Sequence, residues 1–196
     1  WKCRIIMHKQ PEITDKTRQA FIDAFCLLHS KKPLEKITVQ AITRKAGYNR
    51  STFYQYFLDI NDLLSCVEQE LLAFVAEKRS KAGTGSQSFI HDLMGLYETK
   101  SLYLNALLGE FGSNRFLEQL KAIPSIDIPG LGLPDGHPLK PYLVEYRLSG
   151  ALSLFRLWLR RDKDLSTEEM ISLVATLYQD GMSAFDKAQQ HGMAGE

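Results

Sequence analysis

Two short amphipathic helices hinged on a glycine, between Thr38 and Phe57, constrain the fold of this chain more than any other feature. Thr38 opens the first, its hydroxyl placed to accept a hydrogen bond from an otherwise unpaired N–H of the first turn. Ile37 before the cap and Ile42 within the helix form a hydrophobic staple, and Val39, Ile42 and Ala46 make the buried stripe. Gly47 ends the helix, because a residue without a Cβ enters the left-handed conformation at little cost. A second helix follows almost at once, with Asn49 as its cap, Tyr48 stapled against Phe53, and Phe53 and Phe57 facing inward. Arg50, Ser51, Thr52, Tyr54, Gln55 and Tyr56 are left on the other faces. Two short helices joined by a glycine-containing turn of about 3–4 residues are the geometry that lowers the second helix into a major groove.

The flanking segments complete a helical head. Residues 14–31 place Phe21, Ala24, Phe25 and Leu28 at i, i+3, i+4 and i+7, which predicts an amphipathic helix stopped before Pro33. On the other side Asp59 is a cap and Leu58 and Leu63 a staple, and the apolar positions continue through Leu64, Val67, Leu71, Phe74 and Val75 to Lys81. At about 1.5 Å per residue such a helix exceeds ~30 Å and leaves the head for the rest of the chain.

Charge separates the same two parts. The formal net charge is +1, but residues 1–58 hold 11 Lys/Arg against 4 Asp/Glu, a net +7, and the remainder holds 13 against 19, a net −6. Without Lys2 and Arg4 the head is still +5. A basic head on an acidic body favours nucleic acid as the partner of the head. Met7 is read as the natural start, with the six residues before it as leader. No uninterrupted apolar run of about 20 residues is present to span a bilayer, since Ser149, Ser153 and Arg156 break the longest apolar stretch. Cys3, Cys26 and Cys66 lack CxxC spacing and are expected as reduced thiols of a soluble, cytoplasmic protein.

The run from Thr38 to Leu64, TVQAITRKAGYNRSTFYQYFLDINDLL, resembles the helix-turn-helix of the TetR (tetracycline-repressor-like) family of bacterial transcriptional regulators. Ala46 and Gly47 match that family's helix end, Thr52, Phe53, Tyr54 and Phe57 its recognition helix, and Asp62 and Leu63 the start of its fourth helix. The family's usual histidine is Tyr56 here, and its common lysines after the recognition helix fall at Leu58 and Ile60. Each phosphate left without a cationic partner lowers the log–log salt dependence on duplex DNA by about 0.9, so a weaker salt dependence than a typical relative's is expected. The resemblance implies that Thr38, Tyr54 and Tyr56 hold phosphates, with Arg44 and Lys45 adding backbone charge, beside Tyr48 and Thr52. Asn49, Arg50, Ser51 and Gln55 are the candidates for base edges. Arg50 and Gln55 rank first, because a guanidinium pairs bidentately with guanine and a carboxamide with adenine.

The resemblance also implies an all-α fold: a three-helix DNA-binding domain over residues 11–58, and a helical regulatory and dimerisation domain over 59–190, connected by helix four at 59–81. After a break at 82–88, helical patterns recur at 87–98, 100–110 and 113–122, before a Pro/Gly-rich loop at 123–138. Residues 139–161 are apolar on more than one face, which predicts a helix buried on several sides. Ser166 and Glu169 then form a capping box that opens a last helix. In the family the last two helices pair with their two-fold mates. That makes a homodimer through Leu152, Phe155, Leu159, Ile171, Val174, Tyr178 and Met182 the expectation. A small apolar or aromatic ligand is expected against Leu93, Tyr97, Tyr103, Leu107, Phe111, Tyr142 and Tyr146, with neither cofactor nor metal.

The function that follows is a sequence-specific regulator of transcription, a repressor released from double-stranded operator DNA by its ligand. The chain has no GxSxG, HExxH, P-loop or Rossmann glycine pattern, so it is not read as an enzyme. The alternatives are a helix-turn-helix converted to a protein-interaction module, for which Leu58 and Ile60 are the hint, and an all-α enzyme with scattered catalytic residues.

Overall fold

Phe21 is fully buried, and the N-terminal helices assemble around it: its ring meets Phe53 at 5.5 Å and Phe57 at 6.4 Å, both edge-on, and Tyr48 at 5.4 Å. Edge-to-face geometry lets one ring's positive rim meet another's negative face, which adds to the burial. The computed structural model describes residues 11–81, 88–122 and 136–177, and among these every regular element is helical. They are α1 (Pro11–His29), a single 3-10 turn (Leu34–Lys36), α2 (Val39–Ala46), α3 (Arg50–Tyr56), α4 (Ile60–Lys81), α5 (Ser88–Leu108), α6 (Asn114–Lys121) and α7 (Lys140–Arg160). Residues 167–177 form a further helix, α8.

The described chain divides into two compact units, one of residues 11–77 and 99–122, the other of 78–81, 88–98 and 136–177. The first unit therefore includes α6 and residues 99–108 of α5 together with the helix-turn-helix. Its core joins Phe21, Ile22 and Phe25 of α1, Ile42 of α2, Phe53 and Phe57, Leu63, Val67 and Leu71 of α4, Leu104 and Leu107 of α5, and Phe116 of α6. Each such side chain contributes roughly 1.5–3 kcal/mol by leaving water.

The expected caps form. Asp59 Oδ1 accepts from the Asp62 N–H at 2.8 Å, and Asp62 Oδ2 reaches back to the Leu58 N–H at 2.9 Å. Leu58 does not staple the helix: it is 72% exposed while Leu63 is buried, because the Asp62 carboxylate already holds the entering backbone. The patterns at 87–98 and 100–110 join into one helix, α5, kinked at Lys100, whose φ of −131° and ψ of 29° depart from helical values. Ser113 caps α6 by accepting from the Phe116 N–H at 3.2 Å.

In the second unit, Tyr97 packs edge-on against Phe155 at 5.9 Å and Trp158 at 5.3 Å, beside buried Leu148, Ala151, Leu152 and Met170. Asp162 and Lys163 take positive φ of 52° and 60° to end α7, and the Trp158 indole donates to the Leu165 carbonyl at 2.8 Å. The Ser166–Glu169 capping box is present in both directions, at 2.7 and 3.2 Å. The Ser166 backbone N–H and hydroxyl hold the Glu169 carboxyl below its ordinary pKa.

Two further expectations are corrected. α7 buries one face only: Tyr142 and Tyr146 stand 74% and 66% exposed, because none of the described residues covers their side of the helix. Cys26 is a free buried thiol, pushed up to about 12 chiefly by burial and further by Asp23 and Glu70, whereas Cys66 is disulfide-bonded, so the expectation of three reduced thiols fails at Cys66.

Candidate nucleic-acid interface

The recognition face is built by local hydrogen bonds on an aromatic floor. Thr38, with extended φ and ψ of −120° and 150°, caps α2 through Oγ1, which accepts from the Ala41 N–H at 3.1 Å. The bond uses a lone pair of Thr38 and does not engage its hydroxyl proton. Gly47 closes α2 in the left-handed region at φ 77° and ψ 23°. The Tyr48 N–H then donates to the Thr43 carbonyl at 3.0 Å and turns the chain toward α3. Tyr48 rests its ring on Phe21, and its hydroxyl accepts from Thr17 at 3.4 Å, so it ties the turn to α1.

Asn49 starts α3. Its Oδ1 accepts from the Thr52 N–H at 2.8 Å, the Thr52 hydroxyl at 2.9 Å and the Ser51 hydroxyl at 2.7 Å. That oxygen is fully committed to the cap, so Asn49 has only its amide N–H donors to offer a base, and Ser51 and Thr52 have only lone pairs. The buried floor of α3 is Phe53 and, at its C-terminal end, Phe57. By helical periodicity Ser51, Tyr54 and Gln55 point away from that floor, whereas Arg50, three residues before Phe53, stands on the floor's side at the first position of α3; all four are exposed. Tyr56 sits at the edge, half-buried, its ring 6.1 Å from Phe21 and 6.4 Å from Phe57. Arg44 and Lys45 are exposed in the last turn of α2, where cations also oppose the negative end of the helix dipole.

One partner escaped the sequence reading. Arg50 Nη2 donates to Gln40 Oε1 at 3.1 Å, which ties the first base-reading candidate of α3 to the second residue of α2. No spacing rule marks Gln40, because the two residues are neighbours only once the turn at Gly47 is made.

The remaining candidates separate. Tyr103 and Leu107 are buried in the first unit with Phe111 half-buried beside them in sequence, while Tyr97 is half-buried in the second. The exposure of Tyr142 and Tyr146 departs from the enclosed position expected of ligand-lining residues, and the Leu93 side chain lies outside the described ones. Of the expected dimer residues, Leu152 and Phe155 are buried within the single chain. Leu159, Ile171 and Val174 are half-buried, and Tyr178 and Met182 lie outside the described residues. No group of three or more His, Cys, Asp or Glu side chains positioned to hold a metal ion occurs among the described residues, and no described helix is long and apolar enough to cross a membrane.

The comparisons with known proteins agree with this geometry. Residues 21–66, from the buried stripe of α1 to the start of α4, match the family described as bacterial regulatory proteins, tetR family. The structure of a TetR transcriptional regulator from Streptococcus agalactiae 2603V is similar at 21% identity with a TM-score of 0.61, over 85% of this chain and 96% of that one. The dihydroxyacetone kinase operon activator DhaS is similar at 19% identity with a TM-score of 0.56, over 86% of this chain and 97% of that one. At these identities the likeness concerns the fold. No curated protein sequence matches the chain. The helix-turn-helix capped by Thr38 and Asn49 and floored by Phe53 and Phe57 is thus a DNA-binding region of the tetR type, matched over residues 21–66.

Proposed function

We propose that the chain acts in the cytoplasm as a homodimer that binds one operator sequence through α3 and represses transcription until a small apolar or aromatic ligand releases it. The observation that carries the DNA-reading part is the division of α3: Phe53 and Phe57 are buried, and the exposed face offers a guanidinium, a carboxamide and hydroxyls. Those are the groups that read base edges and hold phosphates in a major groove. Enrichment of one palindromic sequence from a random duplex pool, by the folded full chain, tests it; enrichment of none rejects it.

The exposed face of α7 supports a dimer. Leu139, Tyr142, Tyr146 and Leu157 fall on one side of that helix, with the small exposed residues Gly150 and Ser153 between them, and Leu173 and Leu177 of α8 are exposed one turn apart. An isologous contact through such faces suits a reader of two half-sites. For release, ligand held by the helices after α4 shifts α4 and changes the separation of the two recognition helices. The ligand must bind the two states with different affinity, since equal affinity shifts nothing. Repression is the proposed direction; one similar structure is named an activator, and a reporter driven by the selected operator decides between them.

A second reading, a protein-interaction module, is favoured by Leu58, which is 72% exposed beside the end of α3 where a backbone-binding cation is expected. The same selection decides between them.

A further inference from the structure

Apart from the exposed face of α3, a chain of polar contacts crosses three helices of the first unit. Tyr103 of α5 is buried, and its hydroxyl donates to Glu70 Oε2 of α4 at 2.9 Å while accepting from Gln19 Nε2 of α1 at 3.3 Å. The other oxygen of Glu70 pairs with Arg18 Nη1 of α1 at 2.5 Å. The Arg18 guanidinium in turn lies 5.8 Å from the ring centre of Phe57, the residue that ends the recognition helix. Phe57 thus has Phe21 edge-on to it at 6.4 Å and a guanidinium whose position is set by Glu70. On the α5 side, Lys100 interrupts the helix three residues before Tyr103 and places its ammonium 4.7 Å from the Tyr103 ring centre and 5.5 Å from that of Phe74.

We propose that Tyr103, Glu70 and Arg18 are positioning residues that set the pose of the recognition helix, so that residues 99–108 of α5 control operator affinity without touching DNA. The proposal rests on the DNA-binding reading above. Its physical basis is that a buried hydroxyl, a carboxylate and a guanidinium satisfied by one another have one low-energy arrangement. A shift of α5 that withdraws the Tyr103 hydroxyl leaves Glu70 under-satisfied, and the carboxylate and Arg18 must rearrange against Phe57. Reading two half-sites at a fixed spacing makes affinity sensitive to small changes in helix pose.

The test uses the full chain and its selected operator duplex. Dissociation constants are measured across salt concentrations, beside thermal melting, for Y103F, E70Q, R18M and the double variant R18M/Y103F. The relay predicts that Y103F and E70Q raise Kd about three- to tenfold, the range that removal of one hydrogen bond supports. It also predicts an unchanged log–log salt slope, because every phosphate keeps its partner, and a double variant no weaker than the worse single one, because coupled residues are not additive. Gln19→Leu reads the same relay if either α5 or α4 variant fails to fold. Lowered melting temperature with unchanged Kd would show a stabilising clamp only and overturn the proposal. A salt slope reduced by about 0.9 in R18M would place Arg18 on a phosphate and overturn it too. A wild-type chain that binds no duplex rejects the DNA-binding reading itself and the relay with it, an outcome distinct from either.

Discussion

Arg50 on the recognition helix is held by Gln40 on the helix before it, Nη2 to Oε1 at 3.1 Å. The bond occupies one of five guanidinium donors and orients the plane of the rest; under the proposed function that plane offers a bidentate edge to a base. Arg50→Ala is expected to cost about 1–3 kcal/mol against the selected operator and to relax preference at one base pair. Gln40→Ala should show the same loss of preference at the same base pair, but smaller. Competition binding with operators altered one position at a time measures both, and a Gln40 effect at a different position would disconnect it from Arg50.

Leu58 is 72% exposed where a backbone-binding cation is expected, so a lysine there costs little packing. Leu58→Lys is predicted to tighten DNA binding at low salt and to steepen the log–log salt slope by about 0.9. Titrations at several salt concentrations, wild type beside variant, give the slope directly.

Gly47 holds φ at 77°, and a Cβ built on it meets nothing within 4 Å. The cost of Gly47→Ala is therefore backbone strain without a clash, about 1–2 kcal/mol. Gly47→Asn should cost less, since asparagine tolerates the left-handed region. Denaturant unfolding ranks the two, and equal losses would point to a cause other than backbone conformation.

His29 is buried at the end of α1, stacked on Phe25 at 5.4 Å, and burial lowers its pKa from 6.5 despite the Lys32 carbonyl and Glu35, which act the other way. The unfolded chain therefore takes up the proton first as pH falls. The stability contributed by the neutral ring is present above pH 6.5 and is lost as pH falls from there through the lower folded value. Melting temperatures between about pH 7 and about pH 5 should decline more for wild type than for His29→Gln; parallel declines would assign the loss to other groups.

Tyr146, 66% exposed on the apolar side of α7, is the residue at which the proposed dimer is most easily challenged. Tyr146→Glu is expected to shift the chain to monomer in sedimentation and to weaken operator binding, since a desolvated charge in an apolar contact has no compensating partner. Leu152→Ala, at a buried position, should instead lower stability by about 2–5 kcal/mol.

What the amino-acid sequence determined by itself was local. Thr38, Asn49, Asp59 and Ser166 were legible as caps, Gly47 as a left-handed stop, and Phe21, Phe25, Phe53 and Phe57 as core, because each depends on partners within about one helical turn or on helical periodicity. The tetR-type helix-turn-helix was legible for the same reason, its residues being contiguous. Tertiary structure alone decided that Tyr103 joins Gln19, 84 residues away, and Glu70, 33 away, and that Arg50 meets Gln40 across the turn. It also decided that α7 turns Leu152 and Phe155 inward and leaves Tyr142 and Tyr146 out, a choice open to a helix apolar on several sides. Burial on a helix that apolar depends on which face meets the rest of the chain, and periodicity carries no information about that.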